Sequence, residues 1–161
     1  NITGFMVGKD YERAGITKDG AKMLMVQGGV DVPKFTVMTN GSFGAGNYGM
    51  CGRSWDPRTL FSWPQSEISV MGSDQAAQTL VTIKLNQLKR EGIEPDAKQL
   101  AEIKQELLSN FQHQTSAYYT SSEIWDDGII DPVDTRNALG ISIAASLNAP
   151  FEGSSYGVMR Y

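Results

Sequence analysis

The part of this sequence best suited to chemistry is the glycine-rich turn Asn40–Gly46. It follows the β-branched and apolar segment Lys34–Thr39, which predicts a strand, and it precedes a short helix predicted from Asn47 to Arg53. A strand that ends at glycines and continues as a helix points unpaired backbone N–H groups into one small space. Glycine also lets another molecule approach the main chain closely. The turn is therefore suited to hold a phosphate group or an oxygen that becomes negatively charged during a reaction.

The counts of reactive residues disfavour several other kinds of site. His113 is the only histidine and Cys51 is the only cysteine. These counts argue against a histidine-dependent catalytic triad, a multi-histidine metal site and a disulfide framework within this sequence. The adjacent carboxylates Asp126 and Asp127 suit acid chemistry or a metal, but neighbours on a turn more often bond to the backbone. We therefore predict no metal site and expect Cys51 to lie in the core.

Length and composition indicate a single domain of modest negative charge. The 161 residues suit one domain, and the 40% hydrophobic content supplies a core. The net charge of −4, with acidic and basic residues interspersed, disfavours a nucleic-acid surface, because such a surface needs a basic stripe. No run of 18 apolar residues occurs in the sequence, so we predict no membrane span.

Short strands and helices alternate around the turn, which indicates the α/β class. Lys9–Gly15 predicts a polar connection, and Ala21–Gln27 predicts a helix that ends near Gly28. The predicted strands are Ile2–Val7, Lys34–Thr39, Leu60–Trp63 and Glu67–Met71, with Pro64 separating the last two.

The second half of the sequence is mainly helical. Ser73 is the predicted N-cap of one helix, and Asp96 with Gln99 predicts a capping box for the next. Ser116–Ser122 predicts a polar, aromatic loop. The last helix begins at Asp131 and Pro132, and it is apolar nearly all round from Ala138 to Leu147. We expect that helix to be deeply buried or to form a subunit contact.

Three glycines of the turn also match a dinucleotide-binding fingerprint. Gly44, Gly46 and Gly49 follow the G-x-G-x-x-G pattern, and Glu67 lies near the distance of the ribose-binding acid. The match is weak, because the following helix is short and Glu67 begins a strand instead of ending one. Dinucleotide binding therefore remains an alternative, as does a glycine turn that serves close packing alone.

Several segments of the sequence together resemble a known family. They are Asn1–Gly8, Gly41–Arg53, Trp63-Pro64, Ile68–Gly72, Trp125–Pro132 and Asn148–Pro150. They are similar to the C-terminal part of the carboxyltransferase (β) subunit of biotin-dependent acyl-CoA carboxylases. The run Gly46–Arg53 is typical of the branch that contains 3-methylcrotonyl-CoA and geranyl-CoA carboxylases, whereas Thr82–Thr115 matches poorly.

The resemblance implies a crotonase-like fold, a spiral of strand-strand-helix units. Residues 1–161 would be most of the C-terminal, carboxybiotin-binding domain, with the acyl-CoA-binding N-terminal domain outside this sequence. The family's β subunits form hexamers that bind biotin-carrying α subunits. The expected location is the bacterial cytoplasm or the mitochondrial matrix.

The resemblance also assigns roles within the turn. The backbone N–H groups of Ala45 and Gly46 would stabilise the negative charge on the biotin ureido oxygen, and Phe43, Gly44 and Asn47 would shape the biotin pocket. The implied reaction moves a carboxyl group from carboxybiotin to the γ-carbon of 3-methylcrotonyl-CoA, a step of leucine catabolism. It requires no histidine or cysteine base.

Two alternatives remain for the function. The segments Met38–Asn40, Ser54–Asp56 and Phe61–Trp63 diverge from the methylcrotonyl enzymes, so geranyl-CoA or another branched enoyl-CoA is an alternative acceptor. A non-catalytic assembly module, acting through the apolar last helix, is the alternative from another class. In either catalytic case we expect this stretch of chain alone to be inactive.

Overall fold

Two pairs of parallel strands form the centre of the fold in the computed structural model, which describes residues 1–92, 96–151 and 153. β1 (Phe35–Met38) pairs with β3 (Thr59–Ser62), and β2 (Gly41–Phe43) pairs with β4 (Glu67–Ser69). The register places Phe35 opposite Thr59 and Gly41 opposite Glu67.

Each pair of successive strands leads into a helix. β1 and β2 precede α3 (Gly44–Gly49), and β3 and β4 precede α4 (Ser73–Arg90). Each strand-strand-helix unit therefore contributes one strand to each of two sheets. This arrangement confirms the predicted α/β class and its repeating strand-strand-helix unit.

Single bridges extend both sheets beyond these strands. Ile2 pairs in parallel with Ser42 of β2, and Ile129 pairs in parallel with Ser62 of β3. The Ile2 N–H donates to the Gly41 carbonyl at 2.6 Å, and the Phe43 N–H donates to the Ile2 carbonyl at 2.9 Å. β2, the strand that leads into the glycine turn, is therefore held on both edges.

The N-terminal segment forms less sheet than its sequence predicts. Within Ile2–Val7 only Ile2 pairs with a strand, and Val7 is 89% exposed. Gly4 and Gly8 have φ angles of +101° and +139°, which no extended strand adopts. The prediction of a buried strand is therefore wrong beyond Ile2.

Two helices follow this segment. The predicted polar connection is instead α1 (Lys9–Ala14), and α2 (Ile16–Gly29) contains the predicted helix. α2 packs on its neighbours through glycines, because a Cβ on Gly20 would lie 3.1 Å from the Phe5 ring and one on Gly49 would collide with Met23.

The long helices α4 and α5 (Ala97–Thr115) pack against each other. The predicted capping box at Asp96 and Gln99 is confirmed, with the Gln99 N–H donating to Asp96 Oδ1 at 2.7 Å. The N-cap of α4 is Gly72, one residue before the predicted Ser73, and no side chain caps it.

The C-terminal elements differ from their predictions in two places. Ser116 is an N-cap that starts a helix, α6 (Ala117–Ser122), where a loop was expected. Asp131 caps the 3₁₀ turn Pro132–Asp134 as predicted, and α7 (Thr135–Ser146) follows. All twelve residues of α7 are described and none is buried, so the expectation of deep burial is wrong.

The buried carboxylate of Asp126 connects the C-terminal half of the chain to the sheet that β1 and β3 form. Asp126 is 4% exposed, its Oδ2 accepts the hydroxyl of fully buried Ser62 at 2.6 Å, and its Oδ1 accepts the Gly128 N–H at 3.1 Å. Both carboxylate oxygens are therefore used structurally, which agrees with the expectation that this acidic pair bonds to its surroundings.

We predict that Asp126→Ala lowers the free energy of unfolding of the intact protein by about 1–3 kcal/mol, because it leaves the Ser62 hydroxyl buried without an acceptor. Chemical denaturation measures this loss. The control is Asp134→Ala, at an exposed position, which should change stability by less than about 0.5 kcal/mol. Equal effects of the two substitutions would contradict the structural role of Asp126.

Candidate functional site

The glycine turn joins β2 directly to α3. The helix begins at Gly44, three residues before the predicted start at Asn47, and ends at Gly49 instead of Arg53. Gly44 has a φ of +59°, in the left-handed region that favours glycine. The main chain therefore changes direction at one residue, between a strand held on both edges and the first turn of a helix.

The turn is closely packed from two sides. A Cβ on Gly44 would lie 3.0 Å from the Val70 carbonyl oxygen, and one on Gly46 would lie 2.5 Å from Ile2 Cγ2. Both contacts are shorter than those that real Cβ atoms normally make, so neither position has room for a side chain. The glycines are therefore required by the close approach of two other segments to the turn.

Two amides of the turn have no hydrogen-bond partner in the part of the chain that the structure describes. Among the described residues, no hydrogen bond involves the N–H group of Ala45 or Gly46. They are the second and third residues of α3, where helical geometry supplies no acceptor. Ala45 is exposed and Gly46 is buried, so the two donors lie where the surface meets the interior.

Phe43 borders a cavity next to this turn. Its ring lies over Gly41, where a Cβ would be 2.6 Å from it. The cavity has a volume of about 510 Å³, and Thr3, Glu67 and Ser73 line it together with Phe43. Ala45 and Gly46 do not line this cavity.

The Asn47 side chain points back across the turn. Its Nδ2 donates to Ser42 Oγ at 2.6 Å, and its backbone carbonyl accepts the Gly52 N–H at 2.9 Å. Of the five predicted site residues, Phe43 is the last residue of β2, and Gly44 to Asn47 are the first four residues of α3.

An ion pair next to the turn was not predicted from the sequence. Arg53, just after α3, donates through Nη1 to both carboxylate oxygens of Asp127 at 3.2 and 3.1 Å. Asp127 Oδ2 also accepts the Leu60 N–H at 2.7 Å. No local sequence pattern predicts a contact between two residues that are 74 positions apart. It fixes the chain that leaves α3 against β3.

The geometry argues against dinucleotide binding. α3 has six residues, whereas the first helix of a dinucleotide-binding unit is longer. Glu67 begins β4 and pairs with Ser116, so it does not stand at the end of a second strand.

Cys51 does not have the properties of a nucleophile. It is 5% exposed, and burial raises the pKa of its thiol above the ordinary value, with the Lys34 charge and the Thr36 hydrogen bond opposing that rise. The expectation that Cys51 lies in the core is confirmed. In the described ranges no group of three or more His, Cys, Asp or Glu side chains is arranged to hold a metal. No helix in the described part of the chain has the length and apolar character to cross a membrane.

Fold and site together define an α/β protein of repeated strand-strand-helix units that presents main-chain donors at a glycine turn. A family model described as the carboxyl transferase domain matches residues 1–155. The chain therefore belongs to the carboxyl transferase domain family.

Curated relatives give the same assignment. The chain is 49% identical over 160 residues to a probable mitochondrial methylcrotonoyl-CoA carboxylase β chain of Drosophila melanogaster, covering 99% of this chain and 28% of that protein. It is 46% identical over 160 residues to a biotin-dependent 3-methylcrotonyl-coenzyme A carboxylase β1 subunit of Mycobacterium tuberculosis, covering 99% and 30%. The chain thus spans less than a third of the length of these relatives.

Solved structures share the fold. The β subunit of Pseudomonas aeruginosa geranyl-CoA carboxylase superposes with a TM-score of 0.76 at 41% identity, over 99% of this chain and 30% of that one. A transcarboxylase 12S structure, described as a hexamer assembly, gives a TM-score of 0.83 at 25% identity, over 99% and 29%. The predicted carboxyltransferase fold is confirmed.

We predict that Cys51 in the native protein reacts with iodoacetamide at least about tenfold more slowly than in denaturant, because the reactive thiolate is disfavoured by burial. Mass spectrometry measures the reaction. Fast labelling of the native protein would contradict the core position.

The same shift predicts a dependence on pH. A pKa raised in the folded state adds stability below the unfolded value near 9.0 and loses it as pH rises through the folded value. The stability difference between the native protein and Cys51→Ala should therefore shrink at alkaline pH.

Proposed function

We propose that this chain binds carboxybiotin in the carboxyltransferase half-reaction of a biotin-dependent acyl-CoA carboxylase. The observation that carries the proposal is the pair of unpartnered amides at Ala45 and Gly46, held on a turn with no room for side chains at Gly44 and Gly46. Membership of the carboxyl transferase domain family supports the same activity.

The residues of the turn suit a ureido oxygen. Two neighbouring N–H groups that need an acceptor can both donate to one oxygen. Ala45 is exposed, so an oxygen can approach the turn from the Ala45 side. Phe43 and Gly44 precede the two donors in the chain and Asn47 follows them, and in this proposal these three residues form the walls of the biotin pocket. These five residues are the ones we assign to the carboxybiotin site.

Main-chain donors supply the catalysis in this proposal. When bound, carboxybiotin would supply the carboxyl group as CO2, and its ureido oxygen would carry negative charge until biotin takes up the proton that the γ-carbon of the acceptor loses. The Ala45 and Gly46 amides, fixed before the reaction begins, stabilise that charge without reorganising. Removal of one such donor in a comparable hole costs about 2.7–4 kcal/mol of transition-state stabilisation.

For the acceptor we propose 3-methylcrotonyl-CoA, carboxylated at its γ-carbon. The relatives at 46% and 49% identity carry methylcrotonyl-CoA names, while the geranyl-CoA carboxylase β subunit is 41% identical. Geranyl-CoA or another branched enoyl-CoA is the second candidate. Leucine degradation is the pathway that uses the proposed acceptor.

The chain acts as one part of a larger assembly in this proposal. Residues 1–161 form most of the carboxybiotin-binding domain, and the acyl-CoA is bound by a separate N-terminal domain. The partners are a biotin-carrying α subunit and other β subunits in a hexamer, located in the bacterial cytoplasm or the mitochondrial matrix. This stretch of chain alone is inactive.

A test should remove one donor while leaving the fold intact. Gly46→Pro removes an amide, but it also forces atoms against Ile2. Ala45→Pro is cleaner, since position 45 is exposed and lies in the first helical turn, where proline is tolerated.

We expect Ala45→Pro in the intact carboxylase to lower kcat for carboxyl transfer by about 10²–10³-fold, while ATP-dependent biotin carboxylation stays unchanged. Ala45→Ser keeps the amide and is the matched control, with kcat close to that of the native enzyme. Normal transfer by both Ala45→Pro and Gly46→Pro would refute the proposed site.

Exposed apolar side chains of α7 and its C-cap support the proposed contact between subunits. Ile141 is 72% exposed, Ile143 is 46% exposed and the C-cap Leu147 is 65% exposed. Apolar surface gathered on one element is typical of an interaction site. An assembly role without catalysis has less support, because Ala45 in the glycine turn is open to solvent.

We predict that Ile141→Lys weakens assembly of the intact β subunit, since it places a charge in an apolar contact. Arg136→Gln, on the opposite side of the same helix and exposed, should leave assembly unchanged. Light scattering coupled to size-exclusion chromatography measures both, and an unchanged mass for Ile141→Lys would exclude α7 from the interface.

A further inference from the structure

The side chain of Asn47 joins the two ends of the glycine turn. Ser42 is the middle residue of β2, the strand before the turn, and Asn47 lies in α3 after it. The 2.6 Å hydrogen bond from Asn47 Nδ2 to Ser42 Oγ therefore spans Phe43 to Gly46, the segment that contains both proposed donors.

Ser42 is a firm anchor for this bond. It is 5% exposed, and it is paired on one side with Ile2 and on the other with Ile68 of β4. A buried strand residue with neighbours on both edges has little freedom to move. The bond to Ser42 therefore fixes the Asn47 side chain relative to the sheet that β2 and β4 form.

The other end of the Asn47 side chain is also enclosed. A Cβ on Gly52 would collide with Asn47 Oδ1 and would lie 2.9 Å from Asn47 Cγ. The Gly52 N–H meanwhile donates to the Asn47 carbonyl at 2.9 Å. Gly52 therefore makes the space in which the Asn47 amide lies. Among the described residues, the amide has one hydrogen-bond partner, Ser42.

We propose that Asn47 is a positioning residue, which acts through Ser42 to fix the direction of the Ala45 and Gly46 amides. The inference rests on the proposed carboxybiotin site and assigns to the Asn47 side chain a structural task within it. Oxyanion donors act only when they are aimed at the charge, and a displacement of about 1 Å at a reacting centre costs about 10²-fold in rate.

A double-mutant cycle in the intact carboxylase separates this role from direct contact with the cofactor. We expect Asn47→Ala and Ser42→Ala each to lower kcat for carboxyl transfer by about 10–100-fold, with the KM for acyl-CoA unchanged. The double variant should be no slower than the slower single variant, because both substitutions break the same bond. Asn110→Ala, at an exposed position in α5, is the control and should leave kcat unchanged.

Gly52→Ala provides a second variant that deletes no hydrogen-bonding group. Its Cβ would collide with Asn47 Oδ1 and force the amide out of its position, which disturbs the bond from Nδ2 to Ser42. We therefore expect a loss of kcat in the same direction as for Asn47→Ala. Gly140→Ala, a helical glycine with nothing within 4 Å of an added Cβ, is the matched control and should keep native kcat.

Two results would overturn the inference. One is a double variant whose loss equals the product of the single losses, which would mean that Asn47 acts independently of Ser42. The other is native kcat in Ser42→Ala or Gly52→Ala. Ala45→Pro distinguishes this failure from failure of the proposed function: if it abolishes transfer while these variants do not, only the positioning role is lost.

Discussion

The close packing of other segments against the glycine turn is the constraint on which the site depends. The Val70 carbonyl lies on one side of Gly44, and Ile2 lies against Gly46 on the other. These contacts leave room for backbone only, and they fix that backbone between a two-edged strand and a short helix. Because Ala45 and Gly46 lie in the first turn of that helix, their amides have no acceptor among the described residues. A rigid main chain with unused donors is prepared for an anionic oxygen before any ligand arrives.

This arrangement explains how a chain with one histidine and one cysteine can belong to an enzyme family. The groups that act in our proposal are backbone N–H groups, which donate hydrogen bonds without changing protonation state near neutral pH. Acidic side chains that look reactive in the sequence have structural tasks. Asp126 accepts the buried Ser62 hydroxyl, and Asp127 joins Arg53 to the backbone of β3. These carboxylates therefore stabilise the fold, whereas the main chain supplies the hydrogen-bond donors of the proposed site.

The sequence predicted those elements whose signals are local. The strand before the turn, the capping box at Asp96 and the proline start after Asp131 depend on neighbouring residues, and each is present. The predictions were wrong where contacts between residues far apart in the sequence determine the local structure. Ile2–Val7 has strand composition, yet its glycines adopt positive φ and only Ile2 finds a partner. The start of α3 was placed too late because helix propensity disfavours glycine, whereas packing against Ile2 and Val70 requires it.

The sequence predicted the glycine turn that carries the proposed site, but it did not predict the contacts within the turn. Glycine spacing after a strand marks a turn with free amides, and the family resemblance selected Ala45 and Gly46 within it. The hydrogen bonds from Asn47 to Ser42 and from Arg53 to Asp127 depend on where the side chains point and on how the chain folds in space. No periodic pattern in the sequence predicts such contacts. The exposure of α7 likewise depends on what the helix packs against, because an apolar pattern suits a core and an interface equally.

The most direct test of the central claim is an experimental structure of the intact carboxylase with biotin in the carboxyltransferase site. The account predicts that the ureido oxygen lies 2.7–3.1 Å from the backbone nitrogens of both Ala45 and Gly46, the distance of an oxyanion-hole donor. It would be contradicted by a ureido oxygen bound elsewhere while these two amides donate to acceptors within the protein.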